Sequence, residues 1–367
     1  MTAPVPRPGI LDIAPYVGGE AKAGEAQRLI RLASNEGALG PSPRAAAAYQ
    51  ALSGELHRYP DGGSAALTEA LASHHGLEAG RIVLGAGSDE LLSLITRAYA
   101  GPGDEVLYPE HGFLMYPIAA RTVGATPVTA PETRLTANVD ALLAAVTPRT
   151  RIVFLANPNN PTGSYISAAE VERLHAGLPG HVVLVIDAAY AEFVTAADYA
   201  AGEALVRDSE NVVMARTFSK LYALAALRLG WAYCSPAIAG VLHRVRGPFN
   251  VNAAAQAAGV AALADVAFLD AARRHNEVCR QWFADRLTAL GLTVHPSAGN
   301  FVLVDFSPWG EAEAVRLHLK ERGILVRQMG VYKLPQCLRI TIGRSDEMHE
   351  VAEALAAYRR SLDSDRT

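Results

Sequence analysis

A chain of 367 residues, half of them hydrophobic, has ample material for one large core or two. Its 33 basic and 37 acidic residues leave a net charge of −4, no basic tract marks a nucleic-acid footprint, and no apolar run is long enough to span a bilayer. The proline-rich start, Met1 to Gly9, lacks the apolar centre of a signal peptide, and three widely spaced cysteines (Cys234, Cys279, Cys337) argue for reduced thiols, a cytoplasmic setting and no cysteine-based metal site.

Residues 1–44 read as loop-rich and are expected to pack against a smaller domain. His74 and His75 are adjacent, so they point in different directions on a helix and read as surface residues. Residues 81–84 predict a strand, 89–99 a helix, 105–108 a strand and 113–122 a helix. Further strands are expected at 151–155, 182–186 and 212–215. Most are short, β-branched and apolar on both faces, the pattern of a mainly parallel sheet covered by helices. Such a sheet presents ligands at the carboxyl ends of its strands. After Asn250 the texture changes. Residues 252–290 are nearly all helix-forming; strands follow at 300–306 and 338–342, with helices at 311–322 and 346–359. The expected organisation is a large α/β domain over 45–250 and a smaller α+β domain built from 1–44 and 251–367. The tail, 363–367, is expected to be disordered.

Several of the expected strand ends carry polar groups that a plain core would not hold. Gly85-Ala86-Gly87-Ser88-Asp89 opens a helix, and its glycines and free amides suit an anion. It lacks the third glycine of a dinucleotide fingerprint and the Gly-Lys-Ser/Thr of a P-loop, so by itself it reads first as a plain strand-to-helix turn. Asn157 to Gly163 carries two prolines, which hold the backbone so that the asparagine side chains face a ligand. Asp187 ends five apolar residues, where a carboxylate is expensive to bury unless it is paired, and Tyr190 lies three positions on.

Lysine usage adds the sharpest signal. Only Lys22, Lys220, Lys320 and Lys333 are lysine; the other 29 of the 33 basic residues are arginine. Arginine supplies surface charge equally well, but it cannot lose its proton and act as a nucleophilic amine. Lys220 sits among Thr217, Ser219 and Arg228, a set of hydroxyls and a guanidinium suited to a phosphate dianion beside a reactive amine. A phosphate cradle, an aspartate, hydroxyl partners and one lysine are together what pyridoxal phosphate needs.

With these residues in place the chain resembles the fold-type I pyridoxal-phosphate aminotransferases, and among them the histidinol-phosphate aminotransferases. The likeness runs from Ile10 to about Ala357. It rests on Ala14-Pro15-Tyr16, Leu32 to Glu36, Arg58-Tyr59-Pro60-Asp61, Gly87 to Glu90, Asn159 to Gly163, Thr217 to Lys220 and Leu338 to Thr341. The resemblance implies that Lys220 is the Schiff-base lysine and proton shuttle, that Asp187 pairs with the pyridine nitrogen, and that Tyr190 and Asn160 bond the ring oxygen. Phe113 would stack on the ring. Ser88, Asp89 (through backbone amides), Thr217, Ser219 and Arg228 would hold the phosphate. Tyr59 would reach the phosphate of a neighbouring subunit in a homodimer. Arg339 would bind the carboxylate of glutamate and, joined by Arg327 and Tyr16, the phosphate arm of the other substrate, and Asn35 would line the substrate pocket.

The implied reaction is amino transfer between L-histidinol phosphate and 2-oxoglutarate in histidine biosynthesis. Aromatic amino acid transamination and threonine-phosphate decarboxylation on the same scaffold are the rivals, with a non-catalytic binding protein beyond them. One pocket must accept both a phosphomonoester and a carboxylate, which guanidinium forks fit alike. The sequence departs from the family pattern at Gly37-Ala38, Ala188, Ala223 and Ala226; none of these removes a catalytic group.

Overall fold

The computed structural model describes residues 4–16, 18–20 and 28–364. Lys22 and the end of the tail, 365–367, lie outside the described residues. Short, largely continuous apolar runs form most of a seven-stranded sheet in the order Ile82–Gly85, Gly230–Cys234, Val212–Thr217, Val183–Asp187, Thr150–Ala156, Glu105–Pro109, Thr126–Ala130. Only Gly230–Cys234 runs against its neighbours, so the other six strands all point their carboxyl ends the same way. Two of the seven, Thr126–Ala130 and Gly230–Cys234, were not among the expected strands. The first is half-exposed and polar. The second mixes glycine, alanine and cysteine with two aromatics and carries no β-branched residue.

Both faces of this sheet are covered. Along Val183–Asp187, Val183 and Val185 pack into one core with the helix Ser88–Tyr99, while Leu184 and Ile186 pack into the other. The period-2 pleat thus buries consecutive residues on opposite sides, which is why the strand reads as continuously apolar.

A second sheet of five strands has the order Ile30–Leu32, Ile324–Gln328, Cys337–Thr341, Phe301–Asp305, Thr293–His295. Its first pair is parallel and the rest antiparallel. A separate core of Phe283, Leu287, Val302, Val304, Leu338, Ile340, Val351 and Leu355 lies beneath it. The strand Ile30–Leu32 is thus tied to the C-terminal part of the chain.

The change of texture at Asn250 does not coincide with the change of core. The helix Ala253–Leu263 buries Ala255, Ala258 and Ala262 in the core of the larger sheet, against Leu67 and Leu71. The 24-residue helix Val266–Ala289 begins there, with Leu269, and ends in the other core with Cys279, Phe283 and Leu287. An alanine-rich helix has no face that says which core it covers.

Two smaller expectations are corrected. His75 is not a plain surface residue: its ring packs 5.0 Å from Trp231, and burial lowers its pKa to about 3, whereas His74 is exposed. Of the tail expected to be disordered, Asp363 and Ser364 belong to the helix Ser345–Ser364. No single helix among the described residues is long and apolar enough to cross a membrane.

Candidate active site

The carboxyl ends of the parallel strands meet the second sheet around a cavity of about 300 Å³. Asp187, the last residue of its strand, is carried into the wall by the strand itself. Its Oδ2 accepts a hydrogen bond from the Tyr116 hydroxyl at 2.9 Å, while Oδ1 is buried with no hydrogen-bond partner. Burial pushes this carboxyl up to about 6, with the Tyr116 bond pulling the other way. An oxygen in that state is an acceptor held ready for a proton on something else.

Lys220 follows the strand Val212–Thr217 by three residues. Its Nζ donates to the Ser34 carbonyl at 3.2 Å and stands 5.8 Å from the centre of the Tyr190 ring. Burial, helped by the guanidinium groups of Arg339 and Arg228, pushes its pKa down to about 8. Tyr190 is buried, its ring edge-on to Phe301 at 5.3 Å, and its hydroxyl accepts from Asn35 Nδ2 at 2.8 Å. Burial raises that hydroxyl to about 12. Asn35 is held in turn by Thr341, whose hydroxyl accepts from the Asn35 N–H at 3.0 Å. The backbone at Asn35 is left-handed, with φ of 55°, a conformation asparagine tolerates better than most residues.

Arg339 comes from the second sheet. It is buried and donates to the side-chain oxygen of Asn160 and to the Ala33 carbonyl, while its Nε has no partner. Arg327 stands opposite it in the antiparallel register and lines the same cavity, as do Tyr16 and Phe113. The two X–Pro bonds 157–158 and 160–161, on either side of Asn159, are cis.

One end of the cavity is built for an anion. Gly87, with φ of 87°, turns the chain into the helix Ser88–Tyr99, whose first amides have no helical partner. Arg228 covers this turn so closely that a Cβ at Gly87 would lie 2.5 Å from Arg228 Nη2. The same guanidinium reaches Asp89 Oδ2 at 3.3 Å and Ser219 Oγ at 3.4 Å. Thr217 Oγ1 accepts from the Ser219 N–H at 3.1 Å and fixes the loop that leads to Lys220. Gly230 is required for the approach: a Cβ there would lie 2.3 Å from the Ser88 nitrogen.

The sequence pattern of the aminotransferase class I and II family matches residues 27–355. A histidinol-phosphate aminotransferase of Rhodospirillum centenum is 65% identical over 359 residues, covering 98% of this chain and 99% of that one. Another from Paramagnetospirillum magneticum is 59% identical, over 98% and 99% of the two chains. The chain belongs to the histidinol-phosphate aminotransferase family. The crystal structure of the family member from Sinorhizobium meliloti, solved in complex with pyridoxal-5'-phosphate, superposes with a TM-score of 0.90 at 33% identity, covering 98% of this chain and 99% of that one.

Set against the family expectation, the cavity gathers Lys220, Asp187, Tyr190, Asn35, Asn160, Phe113, Ser88, Asp89, Thr217, Ser219, Arg228, Tyr16, Arg327 and Arg339. Tyr59 is not among its lining residues. It is 83% exposed and stacks on Phe249, ring centres 4.8 Å apart. The sequence reading missed Tyr116 and Tyr332. Tyr116 is fully buried, stacked on Phe154 at 4.6 Å, and reads in the sequence as an ordinary apolar helix position. Tyr332 lines the cavity from a short turn after Ile324–Gln328 that has no motif of its own.

Proposed function

We propose that this chain transfers an amino group reversibly between L-histidinol phosphate and 2-oxoglutarate, with pyridoxal phosphate as cofactor, as a step of histidine biosynthesis. The observation that carries it is the meeting, in one cavity, of Lys220 with the unpartnered Oδ1 of Asp187 and the unpartnered Nε of Arg339. The residues fit the cofactor: the orphan carboxylate oxygen suits a protonated ring nitrogen, and the Ser88 helix start with Ser219, Thr217 and Arg228 suits a phosphate. When bound, pyridoxal phosphate supplies an aldehyde that condenses with amines and a ring that withdraws electrons.

Each side chain then has one task. Asp187 Oδ1 would accept the hydrogen bond of the ring N–H and keep its proton in place. Lys220 Nζ would be the amine that holds the cofactor's aldehyde carbon and the base that takes and returns the proton at the substrate's amine-bearing carbon. Tyr190 and Asn160 donate to the ring oxygen, and Phe113 covers the ring. Arg339 binds the carboxylate of glutamate, and Arg327 with Tyr16 meets the phosphate arm of the other substrate, alongside Asn35 in the substrate pocket. We assign the cofactor to the larger sheet and its helices, residues 45–250 and the start of the following helices, and the closing wall to the rest. The exposed Tyr59 reaches the cofactor phosphate of a second copy, so the working unit is a homodimer. The cytoplasmic setting rests on three free, buried thiols.

The test is a substrate panel read from the cofactor's absorbance in half-reactions, beside borohydride reduction and peptide mapping. Rapid conversion with histidinol phosphate and an adduct on Lys220 are expected. Preference for phenylpyruvate, release of carbon dioxide from phosphothreonine, or an adduct elsewhere would overturn the assignment.

A further inference from the structure

The second sheet brings together three residues that the chain keeps apart: His295 on the edge strand Thr293–His295, Asp305 at the end of Phe301–Asp305, and Cys337 at the start of Cys337–Thr341. Asp305 stands directly opposite Cys337 in the antiparallel register. His295 stands opposite Leu303, on the same face and one pleat from Asp305. One imidazole nitrogen, one carboxylate oxygen and the thiol sulfur all lie within 4.8 Å of one another. Among the described residues neither the His295 ring nor the Cys337 thiol makes a hydrogen bond. Asp305 Oδ1 accepts from the Ser307 N–H at 2.7 Å, which orients the carboxylate.

We propose that His295, Asp305 and Cys337 form a binding site for Zn²⁺. The donor set is one nitrogen, one oxygen and one sulfur, which suits a borderline-soft cation and not the all-oxygen shells of Ca²⁺ or Mg²⁺. In a tetrahedral zinc site, bonds of about 2.0–2.3 Å put neighbouring donor atoms roughly 3.5 Å apart. The three donor atoms, within 4.8 Å of one another, draw together by about an ångström when the ion binds. Cys337 is the buried floor, and the half-buried His295 and Asp305 leave the way in from solvent, with water as the fourth ligand. On binding, the S–H bond breaks, its proton goes to solvent, and the sulfur lone pair forms the bond to the metal. The ion ties three adjacent strands, including the open edge, and Cys337 lies two residues from Arg339 on the same face of its strand. The spacing of the cysteines conceals this site, because its ligands are neighbours only through sheet register.

The experiment uses the holoenzyme, stripped by chelator and dialysed against Zn²⁺, with bound metal measured by mass spectrometry and its shell by X-ray absorption. One zinc per chain is expected, with a single sulfur at about 2.3 Å. His295→Ala and Asp305→Asn each weaken binding at least tenfold, and Cys337→Ser removes the sulfur from the shell. Cys279 lies 3.8 Å from the His275 ring nitrogens and is the competing thiol–imidazole pair, so Cys279→Ser must leave binding unchanged. Absence of stoichiometric zinc, a shell without sulfur, binding unaffected by His295→Ala, or binding lost with Cys279→Ser overturns the proposal. His295 is on an edge strand and half-buried, so its variant keeps the test decisive even where Cys337→Ser folds poorly.

Discussion

Asp187 is held in a state that favours function over stability. Its buried carboxyl titrates near 6, against 3.8 for an ordinary aspartate. The folded chain therefore favours the neutral form more than the unfolded chain does. Between the two values folding takes up a proton, and above about 6 the full penalty of a buried charge is present. Asp187→Asn removes that penalty at pH 7.5. The cofactor-free protein should become more stable by about 1–3 kcal/mol in urea titration, while transamination is lost. Tyr116→Phe acts oppositely on the same group. It removes the one hydroxyl that stabilises the charged form, so the acid limb of kcat/KM should move to higher pH, and kcat/KM should fall about tenfold. An unmoved acid limb would mean that Tyr116 only packs. Lys220 titrates near 8, so in the cofactor-free protein its reactive, unprotonated fraction grows as pH rises through that value. Stopped-flow absorbance should find capture of pyridoxal phosphate accelerating up to about pH 8 and levelling beyond it.

The strands and helices matter through what their ends present. Gly230 opens the antiparallel strand that lets the start of the helix Ser88–Tyr99 come into contact with the sheet. Gly230→Ala forces a Cβ against backbone that has nowhere to go. A loss of about 1–3 kcal/mol of stability is expected, with weaker retention of cofactor on gel filtration. Gly180→Ala is the control, since no atom lies within 4 Å of its added carbon. Equal behaviour of the two variants would mean that the anion cradle tolerates displacement. The elements called from the sequence were those with a strong local period. The run 182–186, continuously apolar and β-branched, emerges as Val183–Asp187, and the helix over 89–99 begins one residue earlier, at Ser88. Gly230–Cys234 escaped because its small and aromatic residues mimic neither period.

At the scale of the whole molecule, the cavity lies between two separately packed cores joined by one long helix, and Tyr59 stands outside it. If a second copy supplies Tyr59, mutant subunits should complement. Tyr59→Ala alone should bind the cofactor at least tenfold more weakly. Mixing it with the inactive Lys220→Ala should restore tight binding in the hybrid site that has Lys220 from one chain and Tyr59 from the other. Activity at limiting cofactor before and after subunit exchange measures this, and no gain on mixing would place Tyr59 outside any shared site.

The residues proposed to carry the chemistry stand out locally in the sequence. A lone lysine among arginines, an aspartate closing an apolar run and a glycine turn before a helix are patterns of a few residues each, because strand ends and helix starts are fixed by neighbours in the chain. What joins them does not stand out there. Tyr116 meets Asp187 across 71 residues and Asn35 meets Tyr190 across 155. The core covered by Ala253–Leu263 follows from which helices pack on which sheet. Those contacts depend on strand order and register, and many pairings of the same apolar runs bury equal area, so only the folded chain selects among them.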